Sequence, residues 1–320
     1  GNMSQISETE IKSARLKPTN KKNNSIVGKT RNALFAWSLI IIPLLYLCIN
    51  WIFINGKTLL LAFQDDIDGW GFMNFQKIRK DFTDPYEGGQ MLKVVLNTLL
   101  FWCCNEFIGV PISLFVSFFI YKKIAGYKTF RVIFFLPSIL PQMVLVTAFS
   151  QILAPGGVVE KVVGAFGCKL PLQGLLFDES TAKQTLIVYG LITSACGNIM
   201  FYSSMSRIPP ELVEAGKIDG VSFFQEFTKI EFPLILPTFA MTILLDCAAI
   251  LTASPPILLF GAPPGTTTVS YWFFSTVYFG GVTGIGKYGY MSALGIVFTV
   301  INLPVVLFVR RLSEKIDVSY

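Results

Sequence analysis

Apolar runs long enough to cross a bilayer recur along most of this chain, and that recurrence limits its fold more than any single motif does. A hydrocarbon layer of about 30 Å requires about 20 apolar residues in a helix. Six stretches meet that length, over 34–54, 94–120, 130–153, 185–205, 236–260 and 291–309. With hydrophobic residues at 52% and charged residues at only 14%, a water-soluble domain could not cover its apolar surface. The expectation is an all-α membrane protein with six transmembrane helices. Prolines at 43, 111, 137, 141, 255, 256 and 304 fall in or beside the runs, which predicts bent helices around a path.

The chain divides into a basic tail over 1–33, a six-span domain over 34–310 and a short tail over 311–320. Lys and Arg accumulate on the cytoplasmic side of membrane proteins. With the amino terminus inside, 17 of the 26 basic residues fall on inner segments and 9 on outer ones, so both termini are expected in the cytoplasm. The first tail has little that could form a core and is expected to be disordered or to lie on anionic lipid. The run from Leu34 is too long for a secretory signal and lacks a small-residue cleavage site, so an uncleaved first span is expected.

Histidine is absent, which removes the usual general base and the commonest zinc ligand. All cysteines but Cys168 sit in apolar runs, where they behave as small hydrophobes. No catalytic or metal-binding constellation is visible, and nothing points to nucleic acid. The stretch 281–287, GVTGIGK, has phosphate-loop spacing, but Tyr288 stands where a magnesium-binding Ser or Thr is needed. It reads as a flexible outer connection, leaving the chain without an energy source of its own.

The segment 207–237, RIPPELVEAGKIDGVSFFQEFTKIEFPLILP, is longer than a simple connection and carries more acids than bases. Its pattern predicts two short helices. Pro209 and Pro210 suit a first turn, Glu211 and Glu214 favour the positive helix end, and Gly220 can take the left-handed conformation that stops it. Ser222 and Gln225 form a capping-box pattern, Phe223, Phe224, Phe227 and Ile230 gather on one face, and Pro233 limits extension.

Glu214-Ala215-Gly216, with Gly220 six residues after Glu214, Ile230 ten further on and Pro233 closing the run, resembles the EAA loop of ABC importer permeases. Asp219-Gly220, Phe227 and Pro237 fit the carbohydrate, maltose-type branch. Gly216 in place of a second Ala and Phe232 in place of Leu depart from the pattern. Asn97-Thr98, FRVIFFLPSILP over 130–141 and GAPPGTTTVSYWFF over 261–274 resemble family features in the same order.

The resemblance implies a type I importer architecture in the bacterial cell membrane, with a cytoplasmic coupling helix between spans four and five. Glu214, Ala215, Gly216, Asp219 and Gly220 would couple to an ATPase, with Phe227, Ile230 and Pro233 holding the segment in shape. It further implies a second homologous permease, two cytoplasmic ATPase subunits that bind ATP and Mg, an extracellular solute-binding protein and a carbohydrate cargo. The chain would be a non-catalytic subunit with no cofactor of its own.

Glu106 and Asp246 lie within apolar runs, where a bare charge costs at least about 2.5 kcal/mol on insertion scales. Either they line a wet path, accepting hydrogen bonds from sugar hydroxyls, or they are bonded to neighbours such as Asn105. Tyr271, Trp272, Phe273, Phe274, Tyr278 and Phe279 offer either flat faces for sugar rings or a membrane-edge belt. Asp65, Asp66, Asp68, Asp81, Asp84 and Glu87 read as a solvated outer face or a docking site for the binding protein. An ion-gradient carrier coupled through Glu106 and Asp246 is the alternative function.

Overall fold

A computed structural model describes residues 35, 37–64, 69–83, 88–167, 171–197, 199–279 and 285–317. The described residues are almost entirely helical, with one isolated bridge between Gln64 and Trp70. The basic tail over 1–33, most of the acidic outer residues and 281–284 of the glycine-rich stretch lie outside them.

Among the described residues, six stretches are long and apolar enough to cross a membrane. The first, α1 (Trp37–Leu61), is a unit by itself, and its apolar side chains are exposed along nearly its whole length, as a helix solvated by lipid requires. From Ala62 onward the chain forms a second unit. Its helices are α2 (Met73–Thr83), α3 (Met91–Tyr121), α4 (Tyr127–Ile139), α5 (Gln142–Leu153), α6 (Val158–Ala165), α7 (Ala182–Gly197) and α8 (Ile199–Met205), followed by α9 (Pro210–Ile218), α10 (Phe223–Ala248), α11 (Val269–Tyr278) and α12 (Ile285–Asp317).

Two expected spans shift. The stretch expected over 130–153 is broken at Leu140 and Pro141, whose extended backbones (ψ 141° and 137°) end α4 and start α5. The membrane-length apolar stretch here is Gln142–Ala165, itself interrupted at Ala154. The span expected over 236–260 starts at Phe223 and stops at Ala248. Pro255 and Pro256 lack the N–H a helix would need, so 249–268 folds as irregular backbone. Such backbone is tolerated at membrane depth only where protein buries it or it lines a cavity. Here Ile257 and Phe260 are buried. The last helix runs to Asp317, eight residues past the expected end of its span.

The start of α3 secures this irregular segment. Asn97 Nδ2 donates to the carbonyls of Gly265 (3.0 Å) and Thr267 (2.9 Å), and the Val269 N–H donates to Thr98 Oγ1 at 2.9 Å. The Asn-Thr pair and the GAPPGTTTV stretch, separate in sequence, are therefore two sides of one clamp. Gly261, Ala262 and Gly265 all take positive φ there (77°, 55° and 69°).

Three buried clusters organise the second unit. One joins Leu114 and Phe118 of α3 to Phe201 and Met205 of α8, Val213 of α9 and Phe227 and Ile235 of α10. A second packs Ile78 of α2, Val94 of α3 and Val269 of α11 against Leu294 and Phe298 of α12. A third sets Phe101 and Val146 against Leu186, Tyr189, Ile257 and Phe260.

Candidate functional site

The segment between α8 and α10 is a helix held at both ends. Pro209 caps α9 and Pro210 occupies its first turn, where a missing N–H costs nothing. At its far end the Gly220 N–H donates to Lys217 O and the Val221 N–H to Gly216 O, with Gly220 at φ 74°. This is a Schellman stop, and it requires the left-handed conformation that glycine takes without strain. Val213 and Gly216 are buried, while Glu214, Ala215, Lys217 and Asp219 face outward with Leu212 and Ile218, the last 86% exposed.

The second short helix is not separate. The Ser222 N–H donates to Gln225 Oε1 at 3.0 Å, and the reciprocal half of the capping box is present. From there α10 continues through a π turn over Phe227–Glu231 into Phe232–Ala248. Pro233 therefore does not stop the helix. The wide turn shifts the bond register so that the ring falls in the first turn of the next α-helical stretch, where it is tolerated.

Of the expected aromatic face, Phe227 is buried and Phe223 stacks on α3, with ring centroids 4.9 Å (Phe223) and 4.7 Å (Phe227) from Phe118. Phe224 points away and is 66% exposed. Ile230 reaches back to α9, and a Cβ on Gly216 would collide with its Cδ1. The departure from Ala at 216 is thus matched by the side chain opposite it.

Sequence reasoning missed the ionic centre of this region. Lys122, just past the end of α3, lies 2.5 Å from both Glu226 and Glu231, which are 6% and 0% exposed. Burial works against the Lys122 charge, but hydrogen bonds to the two carboxylates outweigh it and leave its pKa raised. Glu226 and Glu231 are five residues apart, about 140° around an α-helix; a turn with i→i+5 bonds brings such residues nearly into line.

The second candidate region is a cavity of about 570 Å³, within the size range of ligand pockets. A π turn over Asn105–Gly109 in α3 places Glu106 on its wall, and Asp246 near the end of α10 faces the same space. Asn105 stands beside Glu106 on the same lining. Trp102 Nε1 donates to the Asp246 carbonyl at 3.0 Å, fixing α10 against α3. Close approach of α7 depends on Gly109, where a Cβ would come within 2.8 Å of Ser194 Oγ. The irregular residues 252–256 supply the remaining wall.

Glu106 and Asp246 thus share one space, but Tyr271 and Trp272 are not on its lining. Tyr271 packs against the cluster around Tyr189, and Trp272 lies edge-on to Phe273 and Tyr290. Phe274 and Tyr278 stack on each other at 4.5 Å. Asp81, expected on a solvated face, instead accepts a hydrogen bond from Tyr290 at 2.5 Å. Tyr189 and Trp102 were not singled out from sequence, because an aromatic residue in an apolar run has the same pattern whether it packs or lines a cavity.

The multiple sugar-binding transport system permease protein MsmF of Streptococcus mutans is 26% identical over 302 residues, covering 91% of this chain and 99% of its own length. Among solved structures, the chain is similar to a bacterial ABC transporter involved in the import of the acidic polysaccharide alginate, with TM-score 0.77, 19% identity and coverage of 91% and 99%. It is also similar to a bacterial alginate ABC transporter in complex with an alginate pentasaccharide-bound periplasmic protein, with TM-score 0.75, 21% identity and coverage of 90% and 97%. Those likenesses establish the fold. The profile of one family matches residues 94–318, which take in the Asn-Thr clamp, the α9 segment and both acidic clusters. This chain belongs to the binding-protein-dependent transport system inner membrane components, and is a multi-pass transport subunit rather than an enzyme.

Proposed function

We propose that this chain is the permease of a sugar importer in which α9 receives the stroke of a cytoplasmic ATPase and the Glu106–Asp246 cavity forms part of the cargo path. The observation that carries the reading is the asymmetry of α9. One face is locked into the core by Val213 and Gly216, while the other presents Leu212, Ile218 and Glu214, exposed among the described residues. A short helix fixed at both ends transmits displacement as a rigid piece. Apolar side chains on its free face suit burial in a partner.

In this reading Glu214, Ala215, Gly216, Asp219 and Gly220 form the coupling element, and Phe227, Ile230 and Pro233 shape its mounting. The partners are a second permease of the same family, two ATPase subunits that hold ATP and Mg, and an extracellular solute-binding protein. The location is a bacterial cell membrane with both termini in the cytoplasm, which follows the distribution of Lys and Arg. A sugar cargo is supported by the names of the relatives and by the hydroxyl-bearing and carboxyl-bearing cavity wall.

The test is ATP hydrolysis by the complex purified in lipid, with and without sugar-loaded binding protein, for wild type and Gly220→Pro. At φ 74° Gly220 is incompatible with a proline ring. Wild-type turnover should rise with loaded protein, while the variant should assemble and lose that response. A variant that assembles and responds as wild type does would remove α9 from the coupling role.

A further inference from the structure

We infer that the cavity selects its cargo by charge, accepting non-anionic saccharides and excluding uronates, an inference that rests on the importer reading above. Two carboxyls, Glu106 and Asp246, face the space, and among the described residues no Lys or Arg is on its lining. Two polar atoms of its lining residues have no hydrogen-bond partner among the described residues. Tyr189 is 4% exposed with its hydroxyl unbonded, and Glu106 Oε1 is likewise buried and unbonded. Trp102 contributes a broad apolar side chain to the same wall, with Ser194 and Ser254 adding hydroxyls.

These groups define what can enter. A neutral sugar hydroxyl both donates and accepts, so a guest that makes room beside Glu106 or Tyr189 can supply the bond that either side chain lacks. A uronate would have to shed water from its carboxylate with no positive group to replace it. Any charge on Glu106 or Asp246 adds repulsion, which is strong where water is excluded. The exclusion has two parts, the missing cation and the repulsion from the pair, and amide substitution of both carboxyls removes the second and larger one. The cargo class therefore departs from that of the solved alginate importers, whose polysaccharide is acidic.

The experiment measures equilibrium binding of raffinose and of trigalacturonate to the assembled importer in nanodiscs, without binding protein, at pH 7 and low salt. Wild type should bind raffinose at least about tenfold more tightly than trigalacturonate. In the Glu106→Gln/Asp246→Asn double variant that ratio should fall to within about threefold. Tyr189→Phe should weaken raffinose binding several-fold and leave the ratio near its wild-type value.

Equal binding of the two sugars by wild type overturns the inference, as does discrimination that survives the double amide variant. If neither sugar binds while ATP turnover still responds to loaded binding protein, cargo does not use this cavity. The inference then fails and the importer reading stands. Loss of that response in wild type as well would sink the importer reading itself.

Discussion

The same two helices carry two acidic clusters, and only one of them meets a cation among the described residues. Near the α9 end, Glu226 and Glu231 of α10 close on Lys122 beyond α3; at the cavity, Glu106 and Asp246 meet with no cation on the lining. Trp102 and Lys122 lie twenty residues apart, as do Asp246 and Glu226, so α3 and α10 run antiparallel in register over about 30 Å. Each cluster includes residues of a π turn, Asn105–Gly109 or Phe227–Glu231. The difference teaches that burial of acid alone does not distinguish scaffold from site. What distinguishes them is whether the chain supplies the partner. A cluster closed on a cation fixes position, while one without a cation beside open space suits the proposed cargo path.

The largest effect that could break this comparison comes from removing the shared cation. Lys122→Met leaves two buried carboxylates unpaired and should destabilise the permease by about 3–5 kcal/mol, read as a lowered unfolding midpoint of the purified complex. Adding Glu226→Gln and Glu231→Gln to that variant should recover most of the loss, since the penalty belongs to the orphaned charges. By contrast, Glu106→Gln should change stability by less than about 1 kcal/mol, because it leaves a polar group in a polar cavity. Similar destabilisation by Lys122→Met and Glu106→Gln would erase the distinction between the clusters.

Smaller effects sharpen the geometry at each end. Asn97→Ala removes the donor to two carbonyls and should cost about 1–3 kcal/mol, with greater protease sensitivity in 261–268. Trp102→Phe deletes one hydrogen bond to Asp246 and should cost about 1 kcal/mol in the same thermal assay. Gly216→Ala gains helix propensity of about 1 kcal/mol but places a methyl against Ile230. It should therefore stabilise the Ile230→Val background more than the wild-type one, measured as a double-mutant cycle. Equal gains in the two backgrounds would show that Ile230 yields freely.

Much of the α9 segment was legible because its signals are local. Pro210 at the first turn, Gly220 at the stop and the Ser222–Gln225 box each act within a few residues, and each is found in the structure. Glu106 and Asp246 were legible as suspects because charge in an apolar run stands out. The end of the fifth span was not, since ILTASPPILLFG is apolar enough for a helix and a buried irregular strand of chain alike. Nor was the Lys122 cluster, in which the lysine lies 104 positions or more from its carboxylates and meets them through a π turn that periodicity arguments do not anticipate. Tyr271 and Trp272 were singled out by residue type alone, and type does not tell which way a helix faces.

The most direct test of the account is sugar uptake into proteoliposomes bearing the assembled importer, with ATP supplied only on the side that α9 faces. The account predicts uptake that requires that ATP, requires the loaded binding protein and persists when proton and sodium gradients are collapsed. Uptake by this chain alone, driven by either gradient without ATP, would contradict it and make Glu106 and Asp246 ion-coupling groups.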